Sequence, residues 1–272
     1  MSKKLLLLIL SLTSCLFIGC AINPISGEEE LMLYPEQKDI AIGRKFSPEV
    51  EKQMGGRIAD ESLQSYVDSV GQRIARVSHR PDLEYHFAAL EHKSINALAL
   101  PGGYVFLTKG MLQNLTTEAQ LAGILAHEVA HVVARDSMVA LSRQQAIDVL
   151  LIAAATQDTP AAAIRAAALT RLFLDLSYSR EDEQQADLAG LDYMVQAGYN
   201  PHGMIETMQM LQDQQKVKPI EFFSTHPLPK NRIEYLTEKI QTKYSDVAGL
   251  KTTTEQFRRA VLEGGWKPKT PP

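Results

Sequence analysis

The five residues His127-Glu128-Val129-Ala130-His131 place two imidazoles four positions apart with a carboxylate beside the first. On a helix, residues four apart share a face, so both rings can reach one metal ion, while Glu128, about 100° round from His127, flanks a water on that ion. The chemistry this allows is metal-assisted hydrolysis, with Glu128 as the general base rather than a ligand. The surrounding Leu121, Ile124, Leu125, Val129, Val132 and Val133 bury such a helix, in an interior where unpaired imidazoles are costly. The bland alternative is a pair of satisfied helix histidines.

A zinc site needs a third protein ligand, which has to be nitrogen or oxygen where no thiolate is at hand. The segment Ser179 to Asp187 offers one, because Glu183 and Asp187 are also four apart and share a helix face. One of them can coordinate while the other, a turn on, accepts a hydrogen bond from a liganding imidazole. Glu181 and Asp182 fall on other faces and read as solvated charges. Without the histidine pair the whole run would read as an exposed acidic helix face.

The elements that must carry these residues follow from pattern. Thr117 and Gln120, three apart, form a capping box before the run Leu121 to Arg135. Gly198 ends a later helix, and Asn200-Pro201 opens the next as cap and first helical residue. Upstream, from Pro35 to Val77, apolar spacing predicts amphipathic helices broken at Ser47-Pro48 and Gly55-Gly56. Two strands are expected, Leu83 to Phe87 and Tyr104 to Thr108, the latter bounded by Pro101-Gly102-Gly103. The Ala-rich segment Ile147 to Leu176 reads as two packed helices and not a membrane hairpin. Its Asp148, Gln157-Asp158-Thr159-Pro160, Arg165 and Arg171 leave no uncharged apolar stretch of about 18 residues. His79, His86, His92 and His202 read as structural or surface residues, and the lone Trp266 as core or tail.

The chain has 272 residues, 45% of them hydrophobic, which excludes wholesale disorder. Lys3-Lys4 followed by the apolar run Leu5 to Gly19 is too short to span a bilayer and reads as an export signal. Phe17-Ile18-Gly19-Cys20 resembles the lipobox of bacterial lipoproteins, which makes Cys20 the lipidated first residue of the mature chain. Losing residues 1–19 removes two lysines and no acids, moving the net charge from −4 to −6. No basic stripe is left for nucleic acid. Cys15 goes with the signal, so no disulfide or thiolate metal site is available to the mature domain. The polar stretch Ala21 to Glu30 reads as a spacer. The resulting organisation is a signal at 1–19, a lipidated tether at 20–34, a domain carrying the metal motif at 35–250 and a C-terminal helix and tail at 251–272.

Taken together, the motifs resemble the CAAX-prenyl-protease type family of zinc metalloendopeptidases, gluzincins with a downstream Glu ligand. The run Asn96 to Thr108 is similar to the family's edge-strand signature, His127 to His131 to its zinc helix, and Glu183 to Asp187 to its Glu ligand motif. Thr225-His226-Pro227 followed by Arg232 is similar to its late His-Pro segment. Asn23-Pro24-Ile25-Ser26-Gly27 and Leu31-Met32-Leu33 resemble the outer-membrane lipoprotein branch. The chain lacks the multiple membrane spans of the eukaryotic prenyl-protein processors, which argues against prenylated substrates. It also ends before the helical-repeat domain that some periplasmic relatives append.

The resemblance implies a mostly helical α+β zincin-like fold holding one Zn²⁺ on His127, His131 and Glu183, with Glu128 as base and Asp187 behind the ligands. His226 or Arg232 is the candidate oxyanion donor. His226 has two further readings, a fourth zinc ligand that keeps the enzyme latent and a turn cap before Pro227. Asn96, Ala97, Gly103, Tyr104 and Val105 are expected to bind substrate, since an exposed strand edge pairs with any extended peptide through main-chain hydrogen bonds. The expected function is cleavage of unfolded or misassembled envelope proteins, outer-membrane proteins among them, at the periplasmic face of the outer membrane. Ala21 after the lipidated Cys, where Asp would favour inner-membrane retention, sets that location. The alternative is a lipoprotein chaperone or assembly factor with a shut or structural zinc site, against which the intact Glu128 argues.

Overall fold

A computed structural model describes residues 19–144, 171, 173–227, 231–244 and 246–266. The expected signal, up to residue 18, and most of the Ala-rich segment lie outside the described residues, as does the tail from 267. The fold is α+β and mostly helical, with one three-stranded sheet and a separate two-stranded hairpin.

Helix α1 (Glu36–Gln53) and helix α2 (Glu61–Ala75) precede the sheet. The break expected at Ser47-Pro48 does not occur, and α1 continues through Pro48. Ile42, Phe46 and Val50 stay buried on the sheet along that one face, which outweighs a single missing backbone bond. The break at Gly55-Gly56 is present, both residues having positive φ. In α2, Asp60 caps the helix by accepting from the Leu63 amide at 3.0 Å.

The sheet contains β3 (His86–Leu90), β4 (Ala97–Leu100) and β5 (Tyr104–Thr108) in the order β3-β5-β4. The strand expected at Leu83 to Phe87 therefore begins three residues later. Tyr104 to Thr108, expected at the edge, is the central strand, parallel to β3 and antiparallel to β4. The reason is the turn Pro101–Gly103, which folds β4 back against β5 and leaves β4 as an edge. Gly103, at φ 97°, admits no side chain there, because a Cβ would lie 2.3 Å from the Glu84 carbonyl oxygen. Side chains alternate across the sheet. Ala89, Ala97, Ala99, Val105 and Leu107 face one core with α2, and Leu90, Leu98, Leu100 and Phe106 face the other with α1.

After the short α3 (Lys109–Asn114), helix α4 (Glu118–Ala134) runs through the centre with every residue buried, as befits a helix covered on all sides. Its Thr117/Gln120 capping box forms as expected. Helix α5 (Asp136–Gln144) follows immediately, after Arg135 turns the chain in the left-handed conformation. Helix α6 (Arg180–Gln196) packs closely along α4, with Gly190 against the α4 backbone. Helices α7 (His202–Val217), α8 (Phe222–Thr225) and α9 (Arg232–Lys243) close the fold. The expected cap shifts by one residue, Pro201 standing at the N-cap of α7, while Asn200 Oδ1 accepts from the His202 amide at 3.0 Å in the turn ahead of it. In the C-terminal segment, Phe257, Val261 and Trp266 join the main core.

The expected N-terminal spacer is instead folded. Strands β1 (Cys20–Ile22) and β2 (Glu29–Leu31) form an antiparallel hairpin, with Asn23 and Met32 buried. Asn23 organises the turn through its Oδ1, which accepts from the Ile25 amide at 2.8 Å. Its Nδ2 donates to Gln185 of α6 at 2.9 Å, and the Leu33 amide donates to Ser142 of α5 at 3.1 Å. Polar composition concealed a segment held by backbone pairing and partly buried hydrogen bonds.

Candidate metal centre

Helix α4 presents His127 and His131 to the same point, as four-residue spacing dictates, and α6 brings Glu183 to it from the facing side. The end of α8 adds His226. One donor atom from each of these four buried residues lies within 4.8 Å of the others. His127 Nε2 is 3.1 Å from His131 Nε2 and 3.3 Å from His226 Nδ1. Glu183 Oε1 is 3.2 Å from His131 Nε2 and 2.8 Å from His226 Nδ1.

These spacings suit one zinc ion. Neighbouring corners of a tetrahedron drawn about an ion with ligands at about 2.0–2.1 Å are separated by slightly more than 3 Å. A second observation agrees. Both Glu128 carboxylate oxygens are buried without a hydrogen-bond partner among the described residues, and Oε1 is 3.6 Å from His226 Nε2. A carboxylate so placed is costly unless a group brought in by the metal or substrate engages it.

Each α4 histidine has a carboxylate behind it. Asp187 Oδ1 is 3.0 Å from His127 Nδ1, the support expected of that residue. His131 Nδ1 is 2.6 Å from Asp136 Oδ2, a partner the sequence reading missed. Its signal lies in the chain reversal at Arg135, which returns the fifth residue after His131 to the same ring. Burial pushes His131 down, but Asp136 and Glu183 outweigh it and hold the imidazole up at about 10. Burial likewise opposes the charged form of Glu183, yet His226 and His127 keep its carboxyl well below the usual range.

Arg232, at the start of α9, is buried behind the ligands and not over them. Its Nη2 donates to Asp187 Oδ1 at 2.5 Å, and Nη1 is 3.4 Å from Glu183 Oε2. Tyr235 donates to the other Asp187 oxygen. Arg232 thus braces the two acidic residues of α6, while its Nε and Nη1 make no hydrogen bond among the described residues.

The substrate-binding residues expected at the sheet edge divide. Gly103, Tyr104 and Val105 have no free edge, since Tyr104 and Val105 pair on both sides. Ala97 lies on the edge strand β4, and Asn96 precedes it, fastened by its own Oδ1 to the Ala97 amide and by Nδ2 to Glu221 at 3.3 Å. Tyr178, absent from the sequence reading, packs on the metal ligands and is linked toward that edge through Ser137. Its ring stacks on His131 with centroids 4.0 Å apart, and its hydroxyl is 3.1 Å from Ser137 Oγ, which approaches the Ala99 carbonyl at 3.5 Å. The Tyr178 amide donates to Thr225 at 3.1 Å. The void beside His131, Ala99 and Ser137 measures about 10 Å³, too small for a peptide.

Other titratable residues stand apart. His79 Nδ1 is 2.6 Å from the Tyr193 hydroxyl, His86 stacks on Tyr104, and His92 Nδ1 is 2.6 Å from Ser94 Oγ. His202 is exposed, Glu181 is exposed, and Asp182 completes a capping box with Ser179 instead of lying free.

Residues 61–240 match peptidase family M48. The chain belongs to that family. M48 peptidases use zinc, the metal that the cluster on α4 and α6 fits. An Escherichia coli K12 protein described as a beta-barrel assembly-enhancing protease is 31% identical over 188 residues, 65% of this chain and 38% of its own length. The Schizosaccharomyces pombe mitochondrial metalloendopeptidase OMA1 is 33% identical over 205 residues, 72% of this chain and 60% of its own length. The M48 chain described here spans about two-fifths of the length of the beta-barrel assembly-enhancing proteases it matches. No helix among its described residues is long and apolar enough to cross a membrane.

Proposed function

We propose that this protein is a zinc metalloendopeptidase of the bacterial envelope, held to the periplasmic face of the outer membrane by lipid on Cys20. It cleaves unfolded or misassembled proteins, including outer-membrane β-barrel proteins. The observation that carries the hydrolytic reading is Glu128, a buried carboxylate with no hydrogen-bond partner among the described residues, beside the donor atoms of His127, His131 and Glu183. The export signal and lipobox support the location. The name of the Escherichia coli relative supports the substrate class.

His127, His131 and Glu183 would hold the ion. Zinc there would supply Lewis acidity, polarising a scissile carbonyl and making water a nucleophile near neutral pH. Glu128 serves as the base that takes a proton from the attacking water and returns it to the departing amine, a role that suits a carboxylate with no hydrogen-bond partner among the described residues. Asp187 and Asp136 engage Nδ1 of His127 and His131, which would leave both Nε2 atoms free to hold the ion, and Arg232 fixes Asp187. The substrate lies extended along the free edge of β4, beside Ala97 to Ala99, which pairs through main-chain atoms and so accepts many sequences.

The resting enzyme is shut. His226 Nδ1 stands among the ligand atoms, where a fourth ligand would stand, and Tyr178 fills the substrate track, which favours a latent ligand over an oxyanion donor for His226. Glu128→Gln should keep about one zinc per chain while abolishing cleavage of unfolded casein, because the base is not a ligand. Cleavage at the parental rate would reject the mechanism.

A further inference from the structure

Of the five large apolar side chains exposed among the described residues, four fall between residues 22 and 40. Ile22 is 59% exposed, Leu31 38%, Leu33 37% and Ile40 36%. Three of them share one side of the hairpin. Leu31 stands directly opposite Cys20 in the β1–β2 register, so its side chain and those of Cys20 and Ile22 project from the same face. Leu33, two residues on from Leu31, continues it, and both approach Gly19, at 3.2 and 3.7 Å from where a Cβ there would lie. Ile40 and Ile22 both line a cavity of about 710 Å³, as does Arg44.

We propose that this hairpin face, formed by Ile22, Leu31 and Leu33 with Ile40 beside it, is a membrane-docking surface that seats the domain on the bilayer holding Cys20. The inference rests on the lipid-anchor reading and goes beyond it, from an attached domain to an oriented one. The occupant is fixed by where the chain leads. The apolar run Leu5 to Gly19 ends at the patch itself, and Cys20 is the first residue of β1. No spacer separates the anchored residue from the folded body, because β1 pairs with β2 and the hairpin is bonded to α6 through Asn23 and to α5 through Leu33. Lipid on Cys20 enters the bilayer on the same side as Ile22 and Leu31, which brings those side chains to the interface, where apolar groups gain by insertion. The charges nearby are mixed. Glu29 stands opposite Ile22, and Arg44 lies one turn after Ile40, so docking depends on apolar contact and withstands high salt.

The test uses the full chain processed in cells and reconstituted into vesicles of phosphatidylethanolamine and phosphatidylglycerol. Leu33→Cys and, separately, Val217→Cys are treated with a membrane-impermeant maleimide, Val217 being the fifth exposed apolar residue, at 82%. Unchanged zinc content and casein cleavage confirm that each variant folds. Docking requires that the Leu33→Cys rate, taken relative to Val217→Cys, be at least about tenfold lower in vesicles than in the same chain begun at residue 20 with Cys20→Ser and free of lipid, a ratio that allows for the smaller exposure of Leu33. An unchanged ratio, on a chain whose Cys20 carries lipid by mass, overturns docking and leaves the anchor standing. Maleimide on Cys20 itself, with the chain in the supernatant, overturns the anchor and the docking surface together.

Discussion

Asp136 Oδ2 lies 2.6 Å from His131 Nδ1, on the side of the ring away from the metal ligands, and belongs to a different helix from the histidine it holds. The contact exists because Arg135, at φ 61°, ends α4 and starts α5 within one residue. It fixes the ring's orientation and makes its Nε2 a better donor.

Asp136→Asn keeps the shape and removes the charge. Zinc affinity is expected to fall about 10- to 100-fold, as for other carboxylates behind metal-bound histidines, while activity returns at saturating zinc. Competition against a fluorescent chelator measures this, and an unaltered affinity would show that the contact does not tune the metal site.

Zinc binding should release protons at neutral pH. His131 in the metal-free chain is held at about 10, above its ordinary 6.5, so its proton must leave before Nε2 can coordinate. Affinity is therefore expected to climb with pH, by up to about tenfold per unit, on the way to that value. The stability effect has the opposite sign. In the metal-free chain the charged His131 contributes fully below about 6.5, and the contribution is lost as pH rises through about 10. Titration calorimetry in buffers of different ionisation enthalpy reports the proton count, and a count of zero contradicts the assignment.

Gly190→Ala tests the packing that brings Glu183 to the histidines. A Cβ at Gly190 would lie 3.0 Å from backbone atoms of Ala126 and His127, so α6 must move away from α4. The expected cost is about 1–3 kcal/mol in stability, with weaker zinc binding because the third ligand moves with its helix. Denaturant melts with and without zinc separate the two effects. Parental values in both would mean that the contact relaxes without displacing the site.

His226→Ala distinguishes the readings of that residue. As a latent fourth ligand, its loss opens a position for water, and cleavage of a short unfolded peptide should rise with zinc still bound. As an oxyanion donor, its loss should slow turnover by about 10²-fold. Steady-state rates on one peptide decide the direction, and a rate and zinc affinity both unchanged would leave only the turn cap.

What could be read from the sequence was whatever depends on one helix at a time. His127 with His131, and Glu183 with Asp187, share faces by four-residue spacing, and the structure brings both pairs to one point. Asp136 was hidden because its approach depends on one residue's left-handed backbone. Tyr178 was hidden because its place is set by His131, Ser137 and Thr225, all distant in the chain. Strand order was equally obscure. The pattern of Tyr104 to Thr108 specifies a strand but not its neighbours, and a turn of two positive-φ glycines decided which strand became the edge. At the N-terminus, composition misled, since Glu28 to Glu30 suggest an unfolded spacer although Asn23 builds a turn that pairs them.

On the proposed substrate track Tyr178, which stacks on His131 from within the same chain, would be an intramolecular competitor. A tethered occupant competes at an effective concentration on the order of millimolar, however dilute the enzyme is. A folded protein that exposes a short stretch for a moment cannot match that. A chain stalled beside the enzyme, offering many extended stretches at once, can. Selectivity of this kind is a concentration threshold, and it needs no pocket that reads side chains.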